Sequence, residues 1–182
     1  KEQKIVYIGE FAKKPRYQGG GSSHINTDSV VSALETAVRK GRAVEYVKGF
    51  SSERDEMTEE ELKQACEAAA GADAVVIFAG LPDSFESEGY DRKHLGMPNC
   101  QNALIEAVAE AQPNTIVVLH NGAPVEMPWL GKVKAVLEAY LGGQAVGGAV
   151  VNVLYGNANP SGRLAETFPL RKIGRASCRE RV

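Results

Sequence analysis

No apolar run in these 182 residues approaches the roughly 18 that a membrane span needs, so no membrane partner is expected. Cysteine is scarce, at three, with no CxxC pair and no cysteine–histidine cluster. That excludes a disulfide framework and a zinc site. Unpaired cysteines fit a reducing compartment, and a cytoplasmic location is expected on that ground. Positive charge is not in excess: Lys+Arg is 21 and Asp+Glu is 23, a net charge of −2. A nucleic-acid partner held by overall charge is thereby excluded. There is no initiator Met and no signal peptide before Ile5-Val6-Tyr7-Ile8, so the chain reads as a fragment. The rest is ordinary for a globular domain, with 43% hydrophobic and 24% charged residues and enough length for one real core. Many of the 19 glycines gather in a few loops.

The last segment, Ile173-Gly174-Arg175-Ala176-Ser177-Cys178-Arg179-Glu180-Arg181-Val182, breaks the pattern. It looks like one reading frame of a common high-throughput sequencing adapter. We expect residues 1–170 to form the domain and 171–182 a tail, of which 173–182 is translated adapter.

Strand-like runs alternate with helical patterns along the rest. The strand-like runs are Ile5–Ile8, Ala43–Val47, Ala74–Ala79, Thr115–His120 and Val133–Tyr140. Val30, Val31, Leu34, Ala37 and Val38 recur at helical spacing, with Asp28 as N-cap and Gly41 as stop. Leu62, Ala65, Cys66 and Ala69 mark a second helix, opened by the capping box Thr58-Glu59-Glu60-Glu61. Pro98 opens a third, with Ala103, Leu104, Ala107, Val108 and Ala111 inward. Val146, Ala149, Val150, Val153 and Leu154 mark a fourth, stopped by Gly156. The pattern predicts an α/β fold with a mostly parallel sheet sandwiched between helices, a flavodoxin-like layering. Ligands meet such a sheet in the crevice at the carboxyl ends of its strands.

Four loops open on that crevice. Tyr17-Gln18-Gly19-Gly20-Gly21-Ser22-Ser23-His24 reads either as a tight structural turn or as a wall of a polar ligand cleft. It matches neither GxGxxG nor GxxxxGK[ST], which weighs against a noncatalytic nucleotide- or flavin-binding-like module. His24 alone reads as a hydrogen-bonded structural residue. The segment Gly80 to Met97 is long for a βα connection and holds four carboxylates with two aromatics, Phe85 and Tyr90. A glutamate roofed by aromatics beside a second carboxylate has its pKa raised, which suits a general acid. Glu86 and Glu88 are the candidates; they share a face if the segment is extended and diverge if it turns. Asp91 and Arg92 are expected to form ion pairs that shape the loop. Trp129 reads as a half-buried core residue or as a platform for a sugar face. Leu141-Gly142-Gly143-Gln144-Ala145-Val146-Gly147-Gly148 reads as close helix packing first and ligand contact second.

Taken in order, Tyr17-Gln18-Gly19-Gly20-Gly21-Ser22-Ser23, Glu88-Gly89-Tyr90-Asp91-Arg92, Asn121-Gly122-x-Pro124-Val125, Tyr140-Leu141-Gly142-Gly143-Gln144 and Asn159-Pro160-Ser161-Gly162-Arg163-Leu164 followed by Thr167-Phe168-Pro169 cover about Lys4 to Pro169. This set resembles the second, α/β-sandwich domain of glycoside hydrolase family 3. The resemblance implies a domain that supplies the acid/base of a retaining β-glucosidase, with a β-glucoside or oligosaccharide as substrate. The nucleophilic aspartate would sit on a separate N-terminal (β/α)8 barrel of the same chain, absent from this sequence. Carried over by motif, the acid/base is Glu88, with Glu86 the rival by spacing, and Tyr90, Phe85, Ser22 and Ser23 are expected on the substrate side. Neither metal nor organic cofactor is implied. Other specificities of the family, β-xylosidase or N-acetylglucosaminidase, stay open because the deciding subsites would lie on the barrel.

Overall fold

The computed structural model describes residues 3–89 and 91–170. The expected tail, 171–182, and Tyr90 lie outside the described residues. Five parallel strands, β1 (Ile5–Ile8), β2 (Val44–Val47), β3 (Ala74–Gly80), β4 (Thr115–His120) and β5 (Ala135–Glu138), form one sheet in the order β2-β1-β3-β4-β5. The helices are α1 (Ala33–Arg39), α2 (Glu59–Ala70), α3 (Asn99–Ala111) and α4 (Val146–Leu154). No helix among the described residues is long and apolar enough to cross a membrane.

The period of two along each strand divides the core into two layers. Val6, Ile8, Val75, Ile77, Ala79, Val117 and Leu119 face α2 and α3, where Ala65, Ala69, Leu104, Ile105 and Val108 meet them. Tyr7, Val76, Phe78 and Val118 face α1 and α4, against Ala33, Ala37, Val146, Val150 and Val151. Covered on both faces, the central strand β3 is buried along nearly its whole length, and its sequence shows a continuous apolar run instead of alternation.

Local signals place most element ends. The Thr58 capping box forms as expected: its hydroxyl accepts from Glu61 N–H at 3.1 Å while the Glu61 carboxylate accepts from Thr58 N–H at 2.9 Å. Helix α1 starts later than expected. Ser32, not Asp28, is its N-cap, accepting from Glu35 N–H at 3.1 Å. The residues before it are tied elsewhere: Val31 N–H donates to Gln144 O at 2.8 Å, so Val30 and Val31 precede the helix. Val38, expected inward, is exposed. Helix α3 is rotated from its expected face. It buries Gln101, Leu104, Ile105, Val108 and Ala109, leaving Ala103 and Ala111 outside, because Ile105 has more apolar area to hide than either alanine. Gln101 is buried because its Oε1 accepts the Gly80 N–H at 2.8 Å and closes the end of β3. In α4 the inward residues are Val146, Gly147, Val150 and Val151, with Ala149 exposed. Strand β5 is shorter than expected at both ends: Val133 caps the 3-10 turn Leu130–Lys132, and Tyr140 turns to a positive φ of 49°.

Gly147 is where α4 meets the chain entering α1. A Cβ there would collide with the backbone of Val31, Ser32 and Ala33, whereas one on neighbouring Gly148 would meet nothing. Gly147→Ala is therefore expected to lower stability by about 1–3 kcal/mol through overpacking. Gly148→Ala, in the same helix, should raise it by up to about 1 kcal/mol. Urea midpoints of the two variants check this; a loss of equal size at both positions contradicts it.

Candidate functional site

The parallel sheet delivers the loops after β1, β3, β4 and β5 to one rim. What fastens them is Arg16, in the loop after β1. Its side chain is 6% exposed. Nε donates to Asp83 Oδ1 at 2.8 Å, Nη1 to Glu86 Oε2 at 2.6 Å and to Leu81 O at 3.1 Å, and Nη2 to Glu86 O at 2.9 Å. Glu86 Oε2 also accepts the Gly122 N–H, from the loop after β4, at 2.8 Å. One guanidinium and one carboxylate thus join three loops. The planar fork of five donors makes arginine suited to this and lysine not.

With Glu86 turned inward to Arg16, the chain turns through 83–89 and Glu88 diverges from it. Glu88 is exposed on the rim. Its Oε2 accepts both the Ser22 backbone N–H and, at 2.8 Å, the Ser22 hydroxyl. Gly20 and Gly21 form the seat beneath it. A Cβ on Gly20 would strike the Ser87 hydroxyl, and one on Gly21, at φ +86°, would strike the Glu88 side chain. The glycine loop therefore serves as the cradle of the segment Ser87–Glu88.

The electrostatics of Glu88 differ from the expectation. The sequence suggested a carboxyl pushed up by aromatic cover and by Glu86. Instead the Ser22 N–H, then the Ser22 hydroxyl, hold its pKa below the ordinary carboxylate value. The physical reason is twofold: Glu88 is in solvent, and the charge of Glu86 is matched by Arg16.

Of the other expected site residues, Ser22 and Ser23 are exposed on the glycine loop. Phe85 is half-buried, packed against the α2/α3 side of the core. His24 Nδ1 sits 3.1 Å from Gln18 Nε2, and Gln18 also brackets Ile25 through that residue's N–H and carbonyl. Arg92 braces its loop through the main chain, donating to Pro124 O at 3.0 Å, where an ion pair was expected. Trp129 is wholly buried, deeper than expected, and its Nε1 donates to Asn102 Oδ1 at 2.9 Å. The loop after β5 closes the rim: Gly143 N–H donates to Tyr17 O at 2.8 Å, and the Thr27 hydroxyl to Gln144 Oε1 at 2.7 Å.

Sequence reasoning missed Arg16 and Glu138. Nothing local separates Arg16 from Lys13 and Lys14. Glu138 sits inside an expected strand, yet its carboxylate accepts Tyr140 N–H at 2.9 Å and lies 3.4 Å from Asn121 Nδ2. Burial pushes its pKa up to about 7, with the charges of Glu166 and Glu86 adding to the rise and its two hydrogen bonds opposing it. A raised carboxyl pKa means that the folded state holds the proton more tightly than the unfolded state. Stability is thus greatest below the ordinary value of 4.5 and declines as pH rises towards about 7. Glu138→Gln is expected to flatten that decline, so that its urea midpoint gains on the wild type between pH 5 and pH 8. Parallel pH profiles for the two proteins contradict the assignment.

Comparison with known proteins places this geometry. The model of the Glycosyl hydrolase family 3 C-terminal domain matches residues 1–176. The chain is 55% identical over 170 residues to the Thermostable beta-glucosidase B of Acetivibrio thermocellus, covering 92% of this chain and 22% of that protein. It is 45% identical over 169 residues to an Exo-alpha-(1->6)-L-arabinopyranosidase of Bifidobacterium longum, again covering 92% of this chain and 22% of the relative. Its structure superposes on a GH3 beta-glucosidase of Bifidobacterium adolescentis with a TM-score of 0.88 at 43% identity, over 93% of this chain and 25% of that one. The chain thus spans about a quarter or less of the length of these relatives.

Proposed function

The chain belongs to glycoside hydrolase family 3, whose C-terminal domain it carries, and we propose that it supplies the general acid/base, Glu88, of a retaining β-glucosidase-like enzyme. The observation that carries this reading is the contrast between the two neighbouring glutamates. Glu86 is committed to Arg16 and Gly122, whereas Glu88 presents an exposed carboxyl on the strand-end rim, seated on a glycine cradle. A carboxyl that transfers protons to and from a substrate must be reachable and held in place.

In the proposed mechanism a nucleophilic aspartate comes from a (β/α)8 barrel elsewhere in the complete enzyme. Glu88 protonates the glycosidic oxygen as that aspartate attacks the anomeric carbon, and the alcohol leaves. Glu88, now ionised, takes a proton from the water that releases the sugar. The two carboxyl groups belong about 5–5.5 Å apart. On the substrate side we place Ser23, beside the cradle, with Phe85 and Tyr90 from the loop of Glu88. Ser22, expected there too, is engaged with Glu88. We assign the choice of sugar to the barrel; relatives of similar identity over this domain carry names for both a β-glucosidase and an arabinopyranosidase, which supports that division.

Glu88→Ala in the complete enzyme tests the reading. Turnover of glucosides with poor leaving groups should fall by about 10²–10⁴-fold, the usual worth of general acid catalysis. The first step on activated aryl glucosides should fall far less, since those leave without protonation. Azide should restore turnover and yield a β-glycosyl azide. Equal loss of the first step on both substrate classes overturns the acid role. The 182-residue chain alone is expected to turn over no aryl glucoside.

A further inference from the structure

Both hydrogen bonds that Ser22 gives to Glu88 end on the same oxygen, Oε2. The backbone N–H cannot be removed by a side-chain change, and the hydroxyl adds a second donor in a fixed direction. Gly21, at φ +86°, brings Ser22 into place, and no side chain fits at Gly21 without striking Glu88. We propose that Ser22 is a positioning residue for the acid/base: it anchors Oε2, so that Oε1 is the oxygen that carries the exchangeable proton. This rests on the reading of Glu88 given above and reassigns Ser22 from holding sugar to holding the carboxyl.

The consequence is chemical. With Oε2 saturated by donors, a proton on that oxygen would set an O–H against an N–H and an O–H, so protonation falls on Oε1. In the glycosylation step the Oε1–H bond breaks and the proton passes to the glycosidic oxygen as its bond to the anomeric carbon breaks. In the second step Oε1 recovers a proton from water. The Ser22 donors favour the ionised form, in line with the lowered pKa of Glu88. They make the carboxyl a stronger acid and narrow the pH range in which it holds its proton. Among the described residues of the glycine loop and of the loop of Glu88, the other titratable groups are Tyr17 and His24 in the former, and Asp83, Glu86, Asp91, Arg92, Lys93 and His94 in the latter. Arg16 lies behind Glu86.

The test is the pH profile of kcat/KM in the complete enzyme with a poor-leaving-group glucoside. Ser22→Ala removes the hydroxyl and leaves the backbone N–H. Its basic limb should move to higher pH, so that the apparent pKa read from that limb lies above the wild-type one. Ser22→Thr, which keeps the hydroxyl, should restore the wild-type limb, and Ser22→Cys, with a weak donor, should fall between. A Ser22→Ala limb that coincides with wild type overturns the proposal. So does a shift in Ser22→Ala that Ser22→Thr shares, since that reports a disturbed loop. If Ser22→Ala does not fold, a Ser22→Cys limb unmoved from wild type overturns it as well. Glu88→Ala separates the two claims: retained activity on the poor substrate removes the acid/base reading itself, whereas loss there with an unmoved Ser22→Ala limb removes only the role of Ser22.

Discussion

The rim of this domain depends on a buried ion pair. Arg16 and Glu86 are both withdrawn from water, with side chains 6% and 17% exposed. Burying two charges costs several kcal/mol per ion, and attraction offsets that only where the remaining hydrogen-bonding capacity is satisfied. Here it is: Arg16 also reaches Asp83 and two carbonyls, and Glu86 also receives the Gly122 N–H. Such a pair adds little net stability by itself, but losing either partner strands the other. The three loops it joins are therefore held in one arrangement, and Glu88, two residues from Glu86, inherits its place from them.

Much of this was readable in the amino-acid order, and the failures have physical causes. Ile5–Ile8 and Thr115–His120 have the strand ends expected of them, because apolar runs bounded by polar or glycine residues carry their own limits. The second helix and its capping box were local for the same reason. Asp28 failed as a cap because the segment behind it is claimed by Gln144, 113 or more positions along the chain, a contact no local rule sees. The face of α3 was misjudged because alanine counts as apolar in a pattern but offers little area to bury. On the rim, the divergence of Glu88 from Glu86 was legible as one of two outcomes, while the lowered pKa of Glu88 was not. That depends on where Glu86 turns, and Glu86 turns to an arginine 70 positions earlier.

The glycine loop shows how a motif can mislead about its own purpose. Three consecutive glycines suggest backbone N–H groups arrayed for an anion, and one such N–H, that of Ser22, does meet a carboxylate. The anion is a side chain of the same domain. Gly20 and Gly21 lack side chains because Ser87 and Glu88 occupy the space a Cβ would take.

The groups that seat the Glu88 carboxyl, Ser22, Gly20, Gly21, Arg16, Glu86 and Gly122, all belong to this one domain. Among the described residues, the carboxyl is thus held entirely by groups of this domain. Recombination that moves this domain as a unit carries the carboxyl and its seat together.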